Sequence, residues 1–184
     1  MTRRYGTRAG VMATVVVAGC GTSTRTAEES RDERIKSGVF VAVSEDFRGY
    51  HTWDAYDVTG GAADAGIHDG SKVMEYLNAP PKSGADEFPI GTVIVKEATG
   101  GTAMHEIFAM VKRGGGFNSV ARGWEWFDLL PANDGKDGVT IHWRGFGAPA
   151  GDTYGGAVNG GCNTCHRDCG NDAVCAKELA LSNF

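Results

Sequence analysis

Twenty-eight glycines among 184 residues constrain this chain more than any other feature, because glycine weakens helix interiors and occupies tight turns freely. They recur between short extended runs, with Gly60-Gly61 and Gly100-Gly101 as paired breaks, and argue against a helical bundle. The stretch "GSKVMEYLNAPP" reads as a strand up to Leu77 that Pro80-Pro81 stops. Residues 92–98, "TVIVKEA", are the clearest strand on their β-branched content, and "TAMHEIFAMVK" is its antiparallel partner across the Gly100-Gly101 turn. Residues 124–130 and 139–144 add two runs separated by an Asp/Gly-rich connection. A short helix is expected over residues 47–53, and a closing helix from Asn171 or Asp172, where Val174, Leu179 and Ala180 follow. The expected fold is mainly β (α+β), an antiparallel β-sheet domain with a few flanking helices. No GxGxxG or P-loop pattern occurs, so nucleotide chemistry has no support.

The first twenty residues, "MTRRYGTRAGVMATVVVAGC", join Arg3, Arg4 and Arg8 to a short apolar run at residues 11–18 and then to small residues before Cys20. That run falls well short of the roughly 20 residues of a membrane-spanning helix and reads as an export signal. Val17-Ala18-Gly19-Cys20 matches the bacterial lipobox, after which the signal peptide, residues 1–19, is cut and Cys20 is acylated. The expected location is the periplasmic side of a bacterial membrane, the outer membrane in a Gram-negative cell, with acylation at Cys20 as the contact with the bilayer. Residues 20–37 are polar and charged and read as a flexible tether, leaving residues 38–184 as one domain with its own core. Losing Arg3, Arg4 and Arg8 with no acid moves the formal net charge from −5 to −8, which makes nucleic acid a poor partner.

Cys162, Cys165, Cys169 and Cys175 lie within fourteen positions of one another. Cys162-Asn163-Thr164-Cys165-His166 has the C-x-x-C-H spacing of covalent c-type haem attachment. Two sulfurs at this spacing add to the vinyl groups on one edge of the porphyrin, and the adjacent imidazole reaches the iron. Cys162 and Cys165 are then the anchors of one haem c, and His166 is the iron ligand. A four-thiolate zinc site is the first rival, but the four cysteines are cramped compared with two separated pairs. An iron–sulfur cluster is weaker, because the spacing differs from the ferredoxin pattern. Purely structural disulfides are the third rival. The motif, the exported context and the histidine together favour haem. On one straight helix Cys169 and Cys175 would stand about 9 Å apart, too far for a disulfide. Gly170-Asn171-Asp172 breaks the helix between them, so a disulfide closing a small loop is expected.

With haem at the C-terminal end of a β-rich domain, the chain resembles the cytochrome P-460 family, which comprises c-type haem enzymes that oxidise hydroxylamine and related β-sheet cytochromes c-prime that bind nitric oxide. The stretches that carry the resemblance are "FPIGTVIVKE", "EIFAMVKRGGGFN", "GWEWF" and "CNTCH", over most of residues 65–170. It implies an antiparallel β-domain, an iron site open to a small ligand, a soluble redox carrier as electron acceptor, and pairing as a homodimer. It also implies a second covalent link, from the Lys96 amine to a porphyrin meso carbon, as in the hydroxylamine-oxidising members. Phe108 falls where those enzymes place a proton-accepting carboxylate, and an apolar ring cannot act as a base. Glu106 and Glu97 are the substitutes within reach in sequence, whereas a distal Phe108 suits a non-catalytic, nitric-oxide-binding cytochrome c-prime. A third reading, a six-coordinate electron-transfer cytochrome, would draw its extra ligand from Met104, Met110, His105 or His142. Trp124, Trp126 and Trp143 are expected to pack the sheet or the haem edge.

Overall fold

A computed structural model describes residues 27–63, 71–101, 104–132, 138–152 and 161–184. The signal segment, Cys20 and residues 21–26 lie outside the described residues. Six strands, β1 (Asp54–Asp57), β2 (Lys72–Leu77), β3 (Val93–Gly100), β4 (Met104–Lys112), β5 (Trp124–Pro131) and β6 (Val139–Gly145), form one antiparallel sheet in sequence order. The mainly β expectation is met, and β1 is a strand that the sequence reading did not foresee. Val93, Ile94 and Val95 are buried in succession, as befits a central strand covered on both faces. Gly100 and Gly101 take φ of 73° and 62° at the start of the turn into β4, a region where a side chain would strain the backbone.

Alternation along the strands gives the sheet two apolar faces. On one face Val93, Val95, Ala109, Val111 and Phe127 pack with Phe40, Phe47 and Tyr50 from the N-terminal segment. On the other, Leu77, Ile94, Met110, Trp124 and Trp126 pack with Phe88 and with Cys162, Ala173, Val174 and Leu179 from the C-terminal segment. The C-x-x-C-H motif is thereby laid against the centre of the sheet.

Three local expectations need correction. Residues 47–53 are not one helix. Two 3-10 turns, Ser44–Phe47 and Tyr50–Thr52, flank an extended Arg48 and a Gly49 at φ 67°. The closing helix is replaced by 3-10 turns at Lys177–Leu179 and Leu181–Asn183. Asp172 and Ala173 sit at positive φ, and the Asn171 side chain takes the Leu181 N–H and donates to the Leu179 carbonyl, so side-chain bonds replace a helical ladder. Ala27–Lys36, which falls within the segment expected as a flexible tether, is a helix, α1. Its Arg31 and Arg34 lie over the Phe40 ring and bond to the carbonyls of Gly91 and Val41, Arg34 pairs with Asp46, and Ile35 packs on the first apolar face. Arginine stems cover apolar surface here in a segment that composition alone marks as solvated. A short helix α2 (Thr59–Ala63) joins β1 towards β2.

Candidate functional site

The motif forms one helical turn, α3 (Cys162–His166), that follows an extended Gly161. Its second residue is gripped by Asn118, which precedes a 3-10 turn, and by Trp126 of β5. Asn118 and Asn163 exchange amide hydrogen bonds at 2.8 and 2.9 Å, and Trp126 Nε1 donates to Asn163 Oδ1 at 2.7 Å. Asn118 adopts φ 47° and is 5 % exposed, and its amide also donates to the Trp124 carbonyl. Asparagine tolerates this left-handed backbone better than most residues. The clamp turns Cys162 inward, leaves Cys165 exposed, and brings the His166 ring 4.5 Å from the Trp126 ring.

His166 Nδ1 lies 2.8 Å from the Ala173 carbonyl. A carbonyl only accepts, so Nδ1 carries the proton and the Nε2 lone pair is left for a ligand. Burial lowers the His166 pKa and outweighs the Ala173 bond, which raises it; the Lys96 charge lowers it further and the Glu75 charge raises it. The neutral imidazole that an iron needs is thus favoured.

His166 closes a partly open cleft whose other walls are Glu75, Ile94, Lys96, Phe108, Ala109, Met110 and Trp126. Glu75, Lys96 and Phe108 form a row across three strands, because Glu75 on β2 pairs in register with Lys96 on β3, and Lys96 with Phe108 on β4. Lys96 Nζ meets Glu75 Oε1 at 3.0 Å, with side chains 16 % and 6 % exposed. Glu75 Oε2 is buried without a hydrogen-bond partner among the described residues.

Of the residues expected from sequence, Lys96, Phe108 and His166 come together in this cleft. Glu106 shares the Phe108 face two residues along but does not line the cleft; burial raises its pKa, and Asp128 adds to the rise. Glu97 lies on the opposite face, held by His51 at 3.1 Å, His105 at 2.6 Å and the Tyr76 hydroxyl at 3.4 Å. Among the possible sixth ligands Met110 lines the cleft, whereas His105 is bound to Glu97 and His142 to Asp128. The side chain of Met104 lies outside the described residues. Glu75 was missed from sequence, although a signal existed: in "KVMEYL" it alternates with Val73 and Leu77, both fully buried.

Cys169 and Cys175 form a disulfide with Cα atoms 5.1 Å apart, which commits two of the four sulfurs that a tetrathiolate zinc site would require. Among the described residues no three His, Cys, Asp or Glu side chains converge as a metal site, and a haem iron asks for one. Below the motif, Lys112 Nζ contacts both Asp172 carboxylate oxygens at 2.8 Å, one of which also accepts the Phe88 N–H, while Trp124 Nε1 donates to the Asp172 carbonyl. Cys162 and Cys165 carry free thiols but do not line the cleft, which the motif reaches through His166; two thiols and an imidazole at this spacing are the donor types of a covalent haem. The chain matches no family model, no curated protein and no solved structure, so the chemistry of the cleft rests on its own residues.

Proposed function

We propose that this chain is an exported, lipid-anchored mono-haem c-type cytochrome of the cytochrome P-460 kind, which binds hydroxylamine or nitric oxide at an open iron position and oxidises the bound ligand, passing electrons to a soluble carrier. The observation that carries the reading is the C-x-x-C-H turn with its histidine facing Lys96 and Phe108 across one cleft. When bound, haem supplies the coordination position and the redox couple. Cys162 and Cys165, both free thiols, would hold it covalently. His166, fixed in tautomer by the Ala173 carbonyl, would offer its Nε2 to the iron. Phe108, Met110 and Trp126 would limit water in the cleft, and Lys96 and Glu75 would supply charge on its wall.

A second reading, a nitric-oxide-binding protein without turnover, is favoured by two observations. Phe108, which the resemblance aligns with the proton acceptor of the family's enzymes, lines the cleft as an apolar ring, and the Lys96 amine is paired with Glu75. One preparation tests both readings. Protein made with the cytochrome c maturation apparatus should stain for haem on a denaturing gel, and His166→Ala should alter the iron coordination spectrum while the thioether links persist. Absence of the stain would overturn both readings. A Soret band of the reduced protein far to the red would support the Lys96 crosslink and turnover. An ordinary five-coordinate spectrum would support ligand binding alone.

A further inference from the structure

The Cys169–Cys175 disulfide has no part in the chemistry proposed above, yet it stands against the imidazole that chemistry needs. Cys175 Sγ lies 3.5 Å from His166 Nδ1, beside the Ala173 carbonyl at 2.8 Å. A disulfide sulfur carries no hydrogen, so both groups facing Nδ1 can only accept. The loop that brings them there runs between the two cysteines. Its Ala173 N–H donates to the Cys169 carbonyl, and Asn171 and Val174 form an antiparallel bridge. Asp172 and Ala173 hold φ of 52° and 64°, a backbone that is costly for side-chain-bearing residues and lasts only where the surroundings enforce it. Asp172 has its own anchors in Lys112, the Phe88 N–H and Trp124 Nε1. Ala173 has only a buried methyl group, and its backbone bonds run to Cys169 and to His166.

We propose, on the haem-binding reading above, that the Cys169–Cys175 disulfide is a positioning group for His166: by closing the loop it holds the Ala173 carbonyl on Nδ1 and keeps a donor away from that nitrogen, so Nε2 retains the lone pair that iron would take. Cys175 is exposed, so a dithiol in solution can reach the bridge. The dithiol gives up two electrons and two protons and closes to a cyclic disulfide, while Cys169 and Cys175 become thiols. The loop then loses its closure, and the Cys175 S–H becomes a donor beside Nδ1 that favours the opposite tautomer.

Two measurements test this. In the full chain without haem, nitrogen NMR of His166 reads the tautomer. Wild type should carry the proton on Nδ1, and either dithiothreitol or Cys169→Ala/Cys175→Ala should lower the ratio of Nδ1–H to Nε2–H about fivefold or more, the worth of one hydrogen bond. In the holoprotein, thioethers would hold α3 without the bridge, and the same double variant should raise the haem midpoint potential. An imidazole without its Nδ1 acceptor is a poorer electron donor to iron, and a tenfold effect corresponds to about 59 mV. Adding Ala173→Gly, which takes this φ freely, should recover most of both changes. If the double variant folds only with haem, the potential decides. An unchanged tautomer ratio or an unchanged potential would overturn the role of the disulfide and leave haem attachment standing. A chain that takes up no covalent haem would overturn the haem reading, and the tautomer ratio then decides the disulfide's hold on His166.

Discussion

Cys162 and Cys165 are three residues apart in sequence and meet opposite surroundings. Burial pushes the Cys162 thiol up to about 12, whereas Cys165 is exposed. Thiolate is the reactive form, so in folded, haem-free chain an alkylating reagent should label Cys165 at least about a hundredfold faster than Cys162. Peptide mass spectrometry reads the ratio, and comparable rates would contradict the burial of Cys162. The identities of both anchors and of His166 were legible from five residues, because the chemistry fixes their spacing. Their unequal access was not, since it arises from Asn118 and Trp126, more than thirty positions upstream. Glu75 was half legible. Alternation places it on a buried face, but only the strand register sets it opposite Lys96.

At the level of elements, α3 is too short to be stable by itself and depends on the Asn118–Asn163 pair. Asn118→Ala leaves a half-buried amide short of partners and removes a left-handed specialist. It should lower stability by about 1–3 kcal/mol in denaturant unfolding, and a loss below that range would mean the clamp is incidental. The β5–β6 pair carries a pH signature. His142 is raised above its ordinary pKa, chiefly by its bond to Asp128. A raised histidine contributes stability that is complete below about pH 6.5 and fades as pH rises through its folded value. Thermal melts of wild type from about pH 6 to about pH 8 should therefore decline more than those of His142→Gln, and parallel curves would refute the link. Strands β2 to β6 were legible because β-branched runs and glycine breaks agree. The helical expectations at residues 47–53 and after Ala173 failed where Gly49, Asp172 and Ala173 adopt positive φ, which periodicity does not reveal.

Across the whole molecule, Asp172 joins parts of the chain far apart in sequence. It accepts the Phe88 N–H from 84 residues away and meets Lys112 at 60. Removing one partner leaves a buried charge, so Lys112→Met should cost about 3–5 kcal/mol, and Lys112→Met/Asp172→Asn should recover much of it. Equal loss in single and double variants would mean that shape, not charge, matters there. Such long-range joins decide which face the C-terminal segment covers, and no local pattern encodes them. The strand order has a further consequence, in time. Because β1 to β6 pair in the order in which they occur along the chain, each can find its neighbour by closing a short loop. The surface that receives α3 is complete only once β5 has joined, and the cysteine-bearing segment comes last. On the haem reading, assembly of the sheet and attachment of the cofactor are thus in a race. A chain whose sheet closes slowly gives its maturation apparatus longer to reach Cys162 before the protein hides it.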